Sequence, residues 1–304
     1  MSSEPTPSRP DRIARITNSQ SVQTARRIYK QNRLAQAGFI ITLVVILAAI
    51  FAPLLAPHGP TEQSIAEHQL EPPSLEYPMG TDQFGRGIFS RVIYGARISL
   101  QVGLVAVGFA IVVGIPLGLI SGYFKGSVDE FIMRSMDVLF AFPAILLAIA
   151  MIAVLGQSLV NVMLAIGIVY TPIFARVTRS GVLSVREEAY VTASKAIGDT
   201  DLGIIRKDIL PNVIAPIIVQ ATVSLAFAIL AESALSFLGL GTPPPTPSWG
   251  RMLSESRNFM QSAWWTVVFP GLAIMVTILG FNFIGDAMRD VLDPKNDTES
   301  GGGF

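Results

Sequence analysis

The sequence predicts an all-α, polytopic membrane protein with six transmembrane helices. Three observations carry that reading. Of 304 residues, 51% are hydrophobic and only 14% are charged, against about 25% charged in ordinary soluble domains. The charges leave long gaps, each wide enough for the roughly 20 residues a helix needs to cross a ~30 Å hydrocarbon core. Lys and Arg are also unevenly shared between the segments joining those gaps, 17 on one side and 5 on the other, as the positive-inside rule expects.

The spans follow in order. Gly38–Ala56 is almost uniformly apolar, and Ile98–Phe124 is free of charge. Val138–Ala175 runs for 38 residues without Asp, Glu, Lys or Arg. A single helix of that length would reach ~57 Å at 1.5 Å per residue, so the polar break Gly156-Gln157-Ser158 divides it into a tight hairpin, 137–155 and 159–177. Ile209–Ala231 and Asn258–Gly285 complete the six. The basic-rich side carries seven Lys/Arg before the first span, then Lys125 and Arg134, six from Arg176 to Lys207, and two after Asp286. That places both termini in the cytoplasm. The resulting organisation is a largely disordered cytoplasmic N-terminus (1–24), an N-terminal segment with the first span (25–57) and an outer loop (58–97). A core follows (98–286) with a cytoplasmic loop at 180–210, and a cytoplasmic tail ends the chain (287–304). Asp11–Leu34, polar with scattered Ile, reads as a helix at the membrane surface. The first apolar run begins more than 30 residues in and is long enough to span, which argues against a cleavable signal peptide.

Several chemistries are excluded. The chain has no Gly-Lys dipeptide and hence no P-loop, and neither H-E-x-x-H nor G-x-S-x-G occurs. Cysteine is absent, and His58 and His68 form no metal pattern. Net charge is zero with no basic block, so a nucleic-acid partner has no support. The expectation is a transport subunit without a nucleotide site, not an enzyme. Ion-coupled carriers show titratable groups inside the membrane, whereas here the span centres are empty of them. Arg134, Asp137 and Glu232 lie at span ends. Arg134 and Asp137 are three apart, share a helix face and are placed to pair as a structural anchor, with gating or coupling as the alternative. Glu232 reads as a capping or structurally paired group, with gating as the alternative.

The loop between the fourth and fifth spans is the most informative segment. Arg186 to Ile197 contains good helix formers, with Ala189, Ala193 and Ala196 making a small-residue face that lets another surface approach. Glu187 and Glu188 suit the helix start, and Gly198 its end. Thr192-Ala193-Ser194, then Gly198, then Leu210-Pro211 resembles the E-A-A-x-x-x-G…I-x-L-P loop of importer-type ABC permeases, with the Glu and second Ala replaced and Asp208 in the Ile position. Gly80-Thr81-Asp82, Gly85-Arg86, Ser90-Arg91 and Gly95-Ala96-Arg97-Ile98-Ser99-Leu100 resemble the outer signature of dipeptide/oligopeptide/nickel permeases, with Gly87 where that family has Asp. Glu232 to Gly241 and Pro244 to Gly250 resemble the same family, and the long first outer loop fits its C-type subunit. The resemblance covers roughly residues 25–294.

That resemblance implies an assembly in a prokaryotic plasma membrane. A homologous B-type permease subunit would supply the other half of the pathway. Two cytoplasmic ATPase subunits, carrying ATP and Mg, would dock on Glu187, Glu188, Ala189, Thr192, Ala193, Ser194, Gly198, Leu210 and Pro211. An extracytoplasmic solute-binding protein would deliver substrate. It implies peptides as cargo, with nickel chelates or glutathione as alternatives. Gly80–Gly87 reads as a compact turn at the entrance to the second span, with direct solute contact as a second reading. Pro243-Pro244-Pro245 with Trp249, Trp264 and Trp265 reads as a rigid outer cap bearing interfacial aromatics.

Overall fold

The computed structural model describes residues 32–292. The expectations for residues 1–24, for the surface helix before residue 32 and for the tail beyond residue 292 lie outside the described residues. Twelve α-helices form among the described residues: α1 (Arg33–Ile50), α2 (Ala52–Leu55), α3 (Ile65–His68), α4 (Ile88–Phe124), α5 (Gly126–Phe140), α6 (Ala144–Leu155), α7 (Leu159–Val185), α8 (Ala189–Ala196), α9 (Asp201–Ile204), α10 (Leu210–Phe237), α11 (Trp249–Glu255) and α12 (Trp265–Leu292), with a short 3-10 turn at Arg257–Phe259. A π-helical turn, Ile205–Ile209, joins α9 to α10.

Among the described residues, five helices are long and apolar enough to cross a membrane: α1, α4, α7, the continuous run Asp201–Phe237, and α12. Their outward faces suit lipid, with Val112 of α4 72% and Val160 of α7 62% exposed. The expected third span, 137–155, is not one helix. Instead α5 and α6 meet at 89° around residues 141–143, and a sixth crossing exists only as this bent pair. The cause is local. Pro143 lacks an N–H to continue the ladder and serves as N-cap of α6, while Asp129, Glu130, Arg134 and Asp137 keep α5 out of hydrocarbon. The hairpin at 156–158 forms as expected. Gly156 takes φ 87°, Ser158 accepts the Asn161 N–H at 3.1 Å, and Asn161 Nδ2 donates back to Leu155 O (2.8 Å) and Gly156 O (2.9 Å).

Two other boundaries move. The outer loop 58–97 gives up its last ten residues to α4, because Arg91 turns inward onto carboxylates and so does not mark a helix end. The segment 180–210, expected as a loop, is mostly helical, running through the end of α7, α8, α9 and the π-helical turn.

Small residues set the packing. With little hydrophobic drive between helices in lipid, close backbone approach supplies the contact energy. Gly114, Gly118 and Gly122 line α4 against α7. A Cβ built on Gly118 would sit 2.4 Å from Ala175 O, and one on Gly114 would sit 2.7 Å from Phe174 Cβ. At the other side, Gly38 of α1 meets Phe283 and Gly280 of α12 in the same manner. Asn32 caps α1 by accepting from Leu34 N (2.9 Å) and Ala35 N (3.2 Å). One apolar core, including Val102, Ile166, Phe174 and Leu235, joins α4, α6, α7 and α10. A second, including Ile88, Ile229, Trp249 and Trp265, joins α1, α4, α10, α11 and α12.

Candidate functional site

The loop between α7 and α10 is anchored on one side and bare on the other. Val191, Ile204 and Ile209 are fully buried and pin α8, α9 and the π-helical turn to the helix ends. Gly198, at φ 84°, ends α8 in the left-handed conformation that glycine adopts without strain. Glu188 is the N-cap residue of α8, and Glu187 is held by Lys125 Nζ at 2.9 Å. That contact keeps the exposed Glu187 carboxyl below its ordinary pKa, first through the hydrogen bond from Lys125 and then through its charge. The resemblance had placed Ala189, Thr192, Ala193, Ser194 and Gly198 on one docking surface. All but the half-buried Ser194 are exposed. Leu210 and Pro211 stand apart, opening α10 just after the π-helical turn. Pro211 offers no N–H to the preceding turn, and the backbone widens there.

Apolar side chains at this end of the molecule were not singled out in the sequence. Ile197 is 83% exposed, Leu202 is 75% exposed, and Tyr190 also faces outward. They flank the small-residue face and add apolar side chains that water does not favour.

The anchor was also unforeseen. Arg186 Nη1 donates to the carbonyls of Tyr123 (2.6 Å) and Gly122 (3.2 Å), satisfying acceptors that the C-terminus of α4 leaves open. Tyr123 Oη donates to Asp201 Oδ1 at 2.5 Å, and Lys195 Nζ lies 5.0 Å above the Tyr123 ring. The end of α4 is therefore tied to α7, α8 and α9 at once.

The expected Arg134–Asp137 pair does not form. Arg134 Nη2 bonds Glu130 one turn back (2.6 Å), and Asp137 accepts from Arg176 of α7 (2.6 Å). Asp129 receives both Arg179 Nε and Nη2 at 2.6 Å, as well as Ser121 Oγ. Two basic residues of α7 thus hold the bent helix α5 in place, and a bidentate pair fixes its direction.

The motif from Gly80 to Arg91 folds into a buried latch. Thr81 is fully buried; its O accepts from Trp265 Nε1 (3.0 Å) and its Oγ1 donates to His68 O (2.5 Å). Gly80 and Gly85 both take positive φ in the turn, and Ser90 Oγ accepts the His58 N–H at 3.3 Å. Asp82 Oδ1 accepts the N–H groups of Phe84 (2.8 Å) and Arg86 (3.0 Å), and Asp82 Oδ2 accepts Arg86 Nε at 2.6 Å. Arg86 Nη2 (2.7 Å) and Arg91 Nη2 (3.2 Å) then converge on Glu255 Oε2 of α11, whose other oxygen takes Arg251 Nε at 2.9 Å. Burial opposes the Glu255 carboxylate, but the charges of Arg91 and Arg86 and the bonds from Arg251 and Arg86 outweigh it and hold its pKa below the ordinary value. Asp82, Arg86 and Arg91 have almost no exposed surface, so these side chains hold the loop onto α11 and do not face solute. Glu255 was missed because it lies 169 residues from Arg86. Trp249 and Trp265, expected at the interface, are buried; only Trp264 of the three is exposed.

Glu232 lies fully buried near the end of α10. Among the described residues no cation pairs with it. Ser236 Oγ donates to it at 2.6 Å, Ser99 Oγ of α4 is 3.5 Å away, and Ser248 lies against Ser236 at 3.4 Å. Hydroxyls replace the ion pair that a buried carboxyl group otherwise requires.

Residues 114–298 match the family model described as the binding-protein-dependent transport system inner membrane component, and residues 20–73 match the N-terminal transmembrane domain of oligopeptide transport permease C. The chain is 52% identical to the dipeptide transport system permease protein DppC of Alkalihalophilus pseudofirmus, over 96% of this chain and 95% of that protein. It is 44% identical to the di/tripeptide transport system permease protein of Pseudomonas aeruginosa, over 88% and 90%. Against the glutathione transport system permease protein GsiD of Escherichia coli it is 43% identical, over 88% and 89%. A chain of the inward-facing MetNI methionine ABC transporter shares the fold, with TM-score 0.56 at 19% identity, covering 66% of this chain and 96% of that one.

Proposed function

Because this chain belongs to the family of binding-protein-dependent transport system inner membrane components, we propose that it is the permease subunit of an ATP-driven peptide importer, with short peptides as its cargo. The observation that carries the reading is the α8–α9 loop, anchored inside on α4 and bare outside at Tyr190, Ile197 and Leu202. Such a surface is suited to a cytoplasmic ATPase subunit, and this chain has no P-loop of its own. A second permease subunit completes the pathway, a solute-binding protein meets the face of the 58–87 segment and the exposed Pro243–Pro245 turn, and both termini face the cytoplasm of a prokaryotic cell. Relatives named for dipeptides and di/tripeptides support the cargo; the glutathione relative keeps a γ-glutamyl peptide as the second reading.

Coupling then has a path. ATPase closure pushes α8 and α9, the Arg186–Tyr123–Asp201 tether passes the displacement to the end of α4, and α4 carries it along its tight contact with α7 and across Ser99–Glu232 to α10. The test is uptake of a labelled dipeptide by proteoliposomes holding the assembled complex, with glutathione as competitor. Gly198→Trp places a bulky side chain at a left-handed position inside the docking surface. Uptake should fall at least about tenfold with the complex still assembled, a loss equivalent to about 1.4 kcal/mol of coupling. Normal peptide-stimulated ATP hydrolysis in that variant would overturn the docking assignment, and uptake driven by an ion gradient without ATP would overturn the energy source.

A further inference from the structure

Arg97 stands apart from the other basic residues of the outer motif. Arg86 and Arg91 are buried on carboxylates, whereas Arg97, further along α4, is exposed and has no ion-pair or hydrogen-bond partner among the described residues. It immediately precedes the charge-free stretch Ile98–Phe124, so it marks the edge of the hydrocarbon. Gln101 and Leu104 follow at four and seven residues, on the same face and also exposed.

This face forms one wall of a cavity of about 590 Å³ between α1, α4, α10 and α12, within the roughly 300–1,000 Å³ of small-molecule sites. Ile46 and Ile50 of α1 and Phe281 of α12 are among its other walls, and Arg97 and Gln101 are the polar residues in the lining. A peptide would leave its amide groups without partners against such walls. An apolar helix packed here would trap the Arg97 charge without a counter-ion. A molecule with an anionic head and a hydrocarbon tail satisfies both ends, since a guanidinium matches phosphate oxygens bidentately.

We propose that this cavity binds an anionic phospholipid, with its phosphate on Arg97 and an acyl chain lying along Ile46, Ile50, Leu104 and Phe281. The bound chain fills the space between α1 and the core and seats the first span. The site rests on the chain lying in a bilayer, not on its cargo, so a failure of peptide uptake leaves it standing.

Native mass spectrometry of the full-length chain, released from phosphatidylcholine nanodiscs doped with phosphatidylglycerol, tests it. Wild type should retain phosphatidylglycerol in preference to phosphatidylcholine. Arg97→Gln should lose that preference by about tenfold, the loss of one charge-assisted contact, while Arg97→Lys keeps part of it. Leu104→Trp, which fills the slot from an exposed position, should reduce retention of both lipids while the melting temperature stays that of wild type. Equal phosphatidylglycerol retention by wild type and Arg97→Gln would overturn the proposal. So would undiminished retention in Leu104→Trp, or displacement of the lipid by soluble glycerol phosphate, which has no tail.

Discussion

Individual carboxylates decide how the 58–97 segment and α11 hold together. Glu255 neutralises two guanidiniums that Asp82 alone cannot balance. Glu255→Ala leaves a buried excess of positive charge and should cost about 3–5 kcal/mol, read as a lower melting temperature of the purified chain. The pH dependence follows from its depressed pKa. The stabilisation is fully present above the unfolded glutamate value of about 4.3 and is lost as pH falls through the lower folded value. An acid limb in the melting temperature should therefore appear below about pH 4 and be weakened in Glu255→Gln, which is uncharged throughout. Glu232 invites the opposite test. If its role is to bind hydroxyls across α4 and α10, Glu232→Gln keeps an acceptor and should leave uptake within about twofold, whereas Glu232→Ala orphans the serines and should cost about 1–3 kcal/mol. A flat loss of transport in the Gln variant, with stability intact, would restore the gating alternative.

Helices here are spaced by what they lack. α4 lies so close to α7 that Gly118→Leu has nowhere to put a side chain, and about 1–3 kcal/mol or more of overpacking is expected. Gly108 lies on the same helix with no atom within 4 Å of a built Cβ. Gly108→Ala should therefore be neutral or stabilise by up to about 1 kcal/mol, and the contrast between the two variants in a melting series isolates packing from propensity. The straight spans were legible in the sequence because charge-free length alone defines them in a bilayer. The hairpin was legible because Gly156 and Ser158 carry their own turn chemistry. The bend at 141–143 was not. Its cause is partly the fit of α5 against Arg176 and Arg179 of α7, and a pairing 39 to 50 residues away leaves no local trace.

At the scale of the whole molecule, the same division separates what motif spacing reveals from what only folding brings together. Thr192 to Gly198 could be found as a surface because its small residues lie in one run. The side that holds it could not, since Tyr123, Arg186 and Asp201 come from three elements and look unremarkable one at a time. That hidden side carries the sharpest expectation about the assembled transporter. Tyr123→Phe removes the bond to Asp201 and leaves the fold of α4 intact; Arg186→Gln weakens the cap on its last turn. If the two contacts act as one lever, each variant alone should uncouple the machine: ATP hydrolysis continues while dipeptide uptake per ATP falls. The double variant should then be little worse than either single one. Contacts sharing one network show interaction energies of about 0.5–3 kcal/mol, and independent ones add. Uptake measured per ATP hydrolysed, across the four proteins of that cycle, gives the answer. Strict additivity would mean that the loop reaches the spans by another route, through the π-helical turn into α10.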